Sequence, residues 1–409
     1  MSYPDKAIHF DQVCKFVIKL ARAAHTNGVQ SRRLEHYLDV TTKSLGYSGV
    51  FRANPNEVHL NFVSDDKVGH ISYTIYMEKT DIHLIAIDQL GLLVSKLLNN
   101  EIDLKDASQQ LDEINQASSQ IYNKTVTAAG YALTSLGFAW YLGCSPMSVV
   151  AASILGILTY IIALLGNRFS EFSYALSFIT ALIIGLLSAT LSLFFSGIDV
   201  YFVALSALIY LVPGFTISSG IIEISYQYIV SGMINLINGL VALAILFFGV
   251  FFSVSIIQHI SSITISLPQH QGHFIFLPLI ILAVGICIIF QIPKKYILWA
   301  MLCVICACIG ISIGRLLGDN NIGNVLGCMF SVLFANFYSK KFKHSTLLIL
   351  IPSLVFLVSG SIGFRGFIAL SSDNFSAGYH DVMQMFIVAV TLAIGLGIGN
   401  GLYKNKVGL

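Results

Sequence analysis

Charge is scarce in this chain. Only 11% of its 409 residues are Asp, Glu, Lys or Arg, against about 25% in an ordinary soluble protein. The shortage is uneven. Residues 1–124 hold 28 charged side chains, and residues 125–409 hold only 16. A water-soluble fold for the second part is excluded, so a soluble head precedes a membrane body. Net charge is −2 for the head and +4 for the body. Neither is the basic excess that nucleic-acid binding requires.

Other features are missing too. Met1-Ser2-Tyr3-Pro4-Asp5-Lys6 has no apolar core before a small-residue cleavage site, so no signal peptide is expected and the head should stay cytosolic. Six of the seven cysteines lie in or beside apolar segments, where Cys acts as a small hydrophobe. Cys303-x2-Cys306-x-Cys308 sits among Ile, Val, Ala and Leu without a nearby ligand partner, so no metal is expected. His25, Glu35 and His36 lack metal-ligand spacing and no nucleophile signature accompanies them. No enzyme activity and no cofactor are expected.

What is present is apolar length. A hydrocarbon core of about 30 Å takes roughly 20 apolar residues per helix. Ten such spans read out at 125–143, 147–166, 173–196, 200–222, 229–257, 274–291, 296–317, 322–338, 346–370 and 382–402. With the amino terminus inside, Lys124, Arg168, Lys294, Lys295, Lys340, Lys341, Lys343, Lys404 and Lys406 fall on inner links. Only Arg315 and Arg365 fall outside. That bias predicts a multi-pass protein of the cell inner (plasma) membrane with both termini cytoplasmic.

A repeat runs through the body at an offset of 146. Leu211-Val212-x-Gly214 aligns with Leu357-Val358-x-Gly360. Gly220, Gly232 and Gly249 align with Gly366, Gly378 and Gly395. Each half holds five spans, and an odd number inverts one half relative to the other, a common plan of secondary transporters. The expected fold is therefore an α-helical membrane protein with ten transmembrane helices in two inverted five-helix repeats. Its parts are a cytosolic α+β head (1–124), a first repeat (125–258) and a second repeat (274–403).

The chemistry is expected where the helices break. Pro213 lacks an amide N–H and clashes with the preceding turn. Gly214 and Gly220 weaken the helix further, and Thr216, Ser218 and Ser219 supply hydroxyls. The counterpart runs from Ser359 through Gly360, Ser361 and Arg365 to Gly366. Irregular backbone at membrane depth survives only where protein or water covers it. Arg365 would suit a substrate carboxylate. Glu223 would bind an ammonium or carry a coupling proton. Asn235, Asn238 and Gln384 are rare polar groups on apolar helices and suit ligand contact or helix pairing equally. His259, His270 and His273, assigned to an outer loop, read as solvated. Small residues in span five, Ser231-Gly232 and Gly239, suit packing within or between subunits, which leaves a homo-oligomer open.

The head reads as helices at 8–24 and 31–45 with Ser31 as N-cap, strands at Glu57–Val63 and His70–Met77, and helices at Leu84–Leu98 and Leu104–Tyr122. It is expected to regulate or gate the body.

Ala21-Arg22-x5-Gly28-Val29-Gln30-Ser31-Arg32-Arg33-Leu34-Glu35 resembles the head motif of the threonine/serine exporter family, a Gly-Ala-Glu-Thr-x-Arg-Val-Glu pattern. Leu211-Val212-Pro213-Gly214 with Ser231-Gly232 resembles its Pro-Gly and following Ser-Gly. Ser361-Ile362-Gly363-Phe364-Arg365-Gly366 resembles its Ser-x-Gly-Tyr-Arg-Gly stretch. Arg33, Glu35, Pro213, Gly214, Arg365 and Gly366 match these motifs. Where the family has Asn, Arg and Asp after the Pro-Gly, this chain has Ser219, Ile222 and Glu223. The resemblance implies an exporter of small amino acids driven by the proton gradient. A related two-chain form resembles a succinate exporter, so a dicarboxylate is the second expectation. A membrane receptor that binds without transporting is the alternative from another class.

Overall fold

The computed structural model describes residues 3–63, 70–77, 82–116, 120–166, 173–261, 276–358, 360–372 and 374–403. Arg168, His270, His273, Ser359, Lys404 and Lys406, named above, lie outside the described residues.

The head begins with α1 (Tyr3–Thr26) and α2 (Ser31–Ser44). Gly28, at φ 80°, turns the chain between them, a backbone that glycine adopts without strain. An antiparallel sheet follows, β1 (Ser48–Ala53), β2 (Glu57–Val63) and β3 (His70–Tyr76), in the order β1-β2-β3. Val58, Leu60 and Phe62 of the central strand are fully buried while His59 and Asn61 between them face outward, as the two-residue period of a strand dictates. The turn before it is fixed by Asn54, whose Oδ1 accepts the amides of Asn56 (2.9 Å) and Glu57 (3.0 Å). Two helices close the head, α3 (Leu84–Leu98) and α4 (Leu104–Gln116).

Three head expectations change. β1 was not read from the sequence. Ser31 is the first residue of α2, not its cap, because its hydroxyl is engaged across the interface with the body. The last head helix does not reach Tyr122. The side chain of Gln291 accepts the amides of Ile121 (2.9 Å) and Tyr122 (2.8 Å), which holds these residues out of a helix.

The body starts with α5 (Lys124–Tyr141), α6 (Pro146–Gly166) and α7 (Ser173–Phe194). Two short helices, α8 (Val200–Ala207) and α9 (Gly214–Ser225), precede the long α10 (Ile229–Ser261). His259 thus lies in the last turn of a helix rather than in a loop. Then come α11 (Phe276–Ile289), α12 (Lys294–Leu316), α13 (Asn320–Phe342), short α14 (Leu347–Leu357) and α15 (Gly360–Ser371), and α16 (Phe375–Leu402). Among the described residues, seven stretches are long and apolar enough to cross a membrane, with α14 and α15 taken together, and α11 is a shorter apolar helix. Large apolar side chains such as Ile154, Phe194, Val241, Phe252 and Leu298 point outward, a surface suited to lipid and costly in water.

The offset of 146 returns in the coordinates. α9 runs 214–225 and α15 runs 360–371, and α10 and α16 start at 229 and 375. Packing repeats as well. α7 lies on α10 as α13 lies on α16, and α9 lies on α16 as α15 lies on α10. The repeated glycines sit in matching contacts. A Cβ at Gly220 would meet the Gly232 carbonyl at 2.7 Å, and one at Gly366 would meet the Gly378 carbonyl at 3.2 Å. Gly249 presses on Phe178 and Ala181 of α7, and Gly395 presses on Val325 and Cys328 of α13. Small residues let backbones approach where no apolar solvent transfer drives helices together.

The head is seated on the body. Asp88 of α3 accepts the Ser345 amide (2.5 Å) and pairs with His344 Nδ1 (2.8 Å). Arg33 of α2 donates to Tyr37 Oη (2.7 Å) and Ser345 Oγ (3.0 Å), and Tyr122 Oη donates to the Ile292 carbonyl (2.7 Å). The head core is continuous with buried residues of α11, α12 and α14.

Within the head, burial pushes the His25 imidazole below its ordinary pKa of 6.5. Its Nε2 donates to the Asn54 carbonyl at 3.1 Å, while its buried Nδ1 has no hydrogen-bond partner among the described residues. A proton there would be a charge without a partner. The unfolded chain takes up this proton at a higher pH than the folded chain. The stability supplied by neutral His25 is therefore present above pH 6.5 and is lost as pH falls through the lower folded value. Thermal melts of the purified protein from about pH 7.5 to about pH 5 should show a falling midpoint, and His25→Gln should flatten that fall. An unchanged slope in the variant would assign the pH response elsewhere.

Candidate functional site

Two helix breaks build the site. The first follows α8. Leu208 ends that helix, and residues 209–213 run to Pro213, which precedes α9 as its N-cap. Proline has no N–H to continue a helical ladder. The second break follows α14, where Val358 is extended at φ −73°, ψ 144°. Both breaks lead into a glycine, and the two glycines touch. A Cβ on Gly214 would meet the Gly360 amide nitrogen at 2.8 Å, and one on Gly360 would meet the Gly214 Cα at 2.7 Å. Only hydrogen fits between the two chains here.

Above this contact lies a cavity of about 660 Å³, within the ordinary range for small-molecule sites of roughly 300–1,000 Å³. Its floor is Val212, Gly214 and Phe215 from one break and Val358, Gly360 and Ser361 from the other. Phe138, Tyr141, Tyr210, Phe290 and Phe356 form aromatic walls. Its polar lining carries Arg315, Asp319, Asn320, Asn321, Asn324, Arg365, His380, Asp381 and Gln384. Two guanidiniums thus face two carboxylates. Arg365 holds Asp381 through three contacts, Nε to Oδ2 at 3.3 Å and Nη2 to Oδ1 and Oδ2 at 3.2 and 3.0 Å. Asp319 caps α13 by accepting the Asn321 amide, and Gln384 donates to Asn321 Oδ1 at 2.9 Å.

Of the residues singled out from the sequence, Gly214, Gly360, Ser361 and Arg365 line this cavity. Pro213, Thr216, Ser218, Ser219, Asn235 and Asn238 are not among its lining residues. Pro213 caps α9, Thr216, Ser218 and Ser219 lie in its first half, and Asn235 and Asn238 lie on α10. In the second half of α9, Glu223 is buried and accepts Ser231 Oγ and Asn235 Nδ2, both at 2.8 Å. Ser219 donates to the Thr216 carbonyl at 3.0 Å, and the buried Ser218 hydroxyl has no partner among the described residues. In the head, Glu35 accepts Arg52 (3.0 Å) and the Ala53 amide (2.8 Å). Arg33 and Glu35 thus fasten head and body or fasten the head itself. No group of three or more His, Cys, Asp or Glu placed to hold a metal occurs among the described residues.

The sequence reading missed Asp381 as the partner of Arg365. A signal existed. At the offset of 146, Arg365 corresponds to Ser219 and Asp381 to Asn235, so both halves place polar residues at these two positions.

The family described as "Putative threonine/serine exporter" matches residues 15–257. The one described as "Threonine/Serine exporter, ThrE" matches residues 275–400. The chain belongs to the threonine/serine exporter family. The first match takes in the head and the helices up to α10, and the second takes in α11 to α16, so the family's two parts meet where the structural repeat divides. Among curated relatives, a Schizosaccharomyces pombe protein printed as "Uncharacterized protein C7D4.12c" is 24% identical over 96% of this chain and 54% of its own length. "Pheromone-regulated membrane protein 10" of Candida albicans is 22% identical over 95% of this chain and 37% of its own. The protein of that name in Yarrowia lipolytica is 20% identical over 58% of this chain and 20% of its own. The chain spans about half or less of the length of these relatives. No solved structure matches.

The Arg365–Asp381 pair of this exporter-family chain is half-buried, so neither partner is fully hydrated when the other is lost. Arg365→Met and Asp381→Asn should each lower the thermal midpoint in detergent. The double variant should recover part of the loss, with a coupling of about 0.5–3 kcal/mol as for groups in one ion-pair network. Additive losses would show that the pair contributes nothing as a pair.

Proposed function

We propose that this chain is a secondary active exporter of small polar amino acids, with threonine and serine as leading substrates and protons as the coupling ion. It would sit in the inner (plasma) membrane with both termini cytoplasmic. The head (1–124) would lie in the cytosol beneath two inverted five-helix repeats (125–258 and 274–403). Support for inversion comes from the matching helix bounds, the matching packing partners and the self-contact of Gly214 with Gly360, which would lie on the two-fold axis.

The observation that carries the substrate class is the charge balance of the cavity. Two guanidiniums and two carboxylates suit a zwitterion. The substrate carboxylate would take Arg365 from Asp381, and its ammonium would take the released Asp381. Ser361 would accept or donate to a side-chain hydroxyl. A dicarboxylate would meet Asp319 and Asp381 as like charges, which disfavours it. The cavity lies on the side of the body away from the head, so with the head in the cytosol this would be an outward-open form. In the inward-open form Pro213, Thr216, Ser218, Ser219, Asn235 and Asn238 would line the path. Glu223, a carboxylate among neutral donors, would be the proton carrier. A receptor that binds the same ligand without moving it remains the alternative, and flux separates the two.

Liposomes loaded with threonine should accumulate labelled threonine by counterflow, serine should compete and succinate should compete weakly. Binding without counterflow would favour the receptor. Gly214→Val or Gly360→Val inserts bulk where backbones touch. Overpacking of about 1–3 kcal/mol against one access state should slow flux about tenfold or more. Wild-type flux in either variant would remove the breaks from the transport path.

A further inference from the structure

The end of α9 opposite the cavity is closed by the head, and the contact is polar and specific. α2 points its first residue at the turn between α9 and α10. Ser31 Oγ lies 2.7 Å from Ser231 Oγ, and both serines are buried. Ser231 Oγ in turn donates to the Glu223 carboxylate, which also accepts Asn235. One residue on, the Arg32 guanidinium stacks over the Tyr226 ring at 4.0 Å.

The start of α2 takes its partner from the body. The first amides of any helix lack intrahelical acceptors and carry positive partial charge, and Gln30, at the cap position, offers no side-chain bond. The Ser31 hydroxyl is committed to Ser231, whose own hydroxyl donates to the buried carboxylate of Glu223. Ser31 is therefore the donor to Ser231, and the head supplies one end of a hydroxyl chain that leads to the carboxylate. Withdrawing α2 removes that end and opens two buried serines.

The location gives this contact a role. Outside it, a solvent-open cleft of about 380 Å³ is lined by α2 and β1 residues of the head, among them Arg32, Glu35 and Arg52, and at its edge by Tyr228 of the α9–α10 turn. The Tyr228 amide donates to the Glu223 carbonyl at 3.0 Å, so the cleft abuts the contact. Inside it lie Ser219, Ser218 and Thr216, and beyond them Gly214 at the cavity floor. Between α15 and α16 the Arg365–Asp381 pair borders the cavity.

Resting on the exporter reading, we propose that the head is the inner gate. The α2 start, through Ser31, bars the path at Glu223 and Ser231 while the cavity is open on the other side. Withdrawal of α2 from Glu223 is the event that joins the cleft to the substrate path. Glu223 therefore serves as a gate residue held by the head, and Ser31, Ser231 and Asn235 position its carboxylate.

Two measurements test this. The first needs no substrate. In Ser219→Cys, labelling at position 219 by a membrane-impermeant maleimide added from the head side is read by peptide mass spectrometry. Adding Ser31→Ala with Ser231→Ala should raise the labelling rate about tenfold, equivalent to about 1.4 kcal/mol of lost closure. An unchanged rate overturns the gate. The second uses Ser31→Cys with Ser231→Cys, oxidised to a disulfide that is verified by mass spectrometry. Oxidised protein should lose nearly all threonine counterflow while still binding threonine from the cavity side, and reductant should restore flux. Full flux in fully oxidised protein overturns the gate. If the wild type moves none of the tested solutes yet labelling rises as expected, the export reading fails and the gate stands.

Discussion

An interrupted helix inside hydrocarbon must hide its free backbone groups, and the rest of this structure follows from how that is done. Lipid offers no hydrogen bonds, so a break survives only against protein or a wet cavity. Here two breaks solve the problem for each other. Each puts a glycine at its turn into α9 or α15, and the glycines meet with no room for a side chain. The residues flanking that contact then become the floor of a cavity. A single break would leave its free amides and carbonyls facing lipid. The pairing explains why the chain carries the feature twice, at one offset, with matching helix bounds.

The same economy governs the repeated glycines. Those at 220 and 366 bring each short helix against the next long one, and those at 249 and 395 bring that long helix against α7 or α13. A body built from such contacts has little polar content to spare. Two of its polar clusters stand out. Arg365 and Asp381 stand on the cavity, and Glu223 with Ser231 and Asn235 stands at the head. One is an ion pair within reach of solvent. The other is a carboxylate held by two neutral donors, one of which is met by a serine of the head.

Much of the architecture was legible in the sequence because hydrophobic length and glycine spacing are local signals. The bounds of α3 and β2 came out as they stand, and the breaks at Pro213 and after Val358 were read from residue type. The candidate site was legible only in part. Gly214, Gly360, Ser361 and Arg365, singled out from residue type, line the cavity. Thr216, Ser218 and Ser219 were grouped with them because they are neighbours in sequence. A helix starting at Gly214 carries them away from the floor toward the other side of the body. The wrong cap at Ser31 has the same origin. Serine before a helix is a good capping signal, and nothing local reveals a second serine 200 residues away.

The sequence by itself determined that residues 125–409 belong in an apolar phase, that two helices must break, and that four glycines recur at one spacing. Each follows from composition or from backbone chemistry over a short stretch. The tertiary structure alone decided that the breaks touch, that Arg365 is held by Asp381, and that Ser31 of the head meets Ser231 beside Glu223. Those facts depend on which distant surfaces meet. Contacts between residues far apart in the chain are set by the packing of whole helices, and no pattern within a single helix specifies its partner.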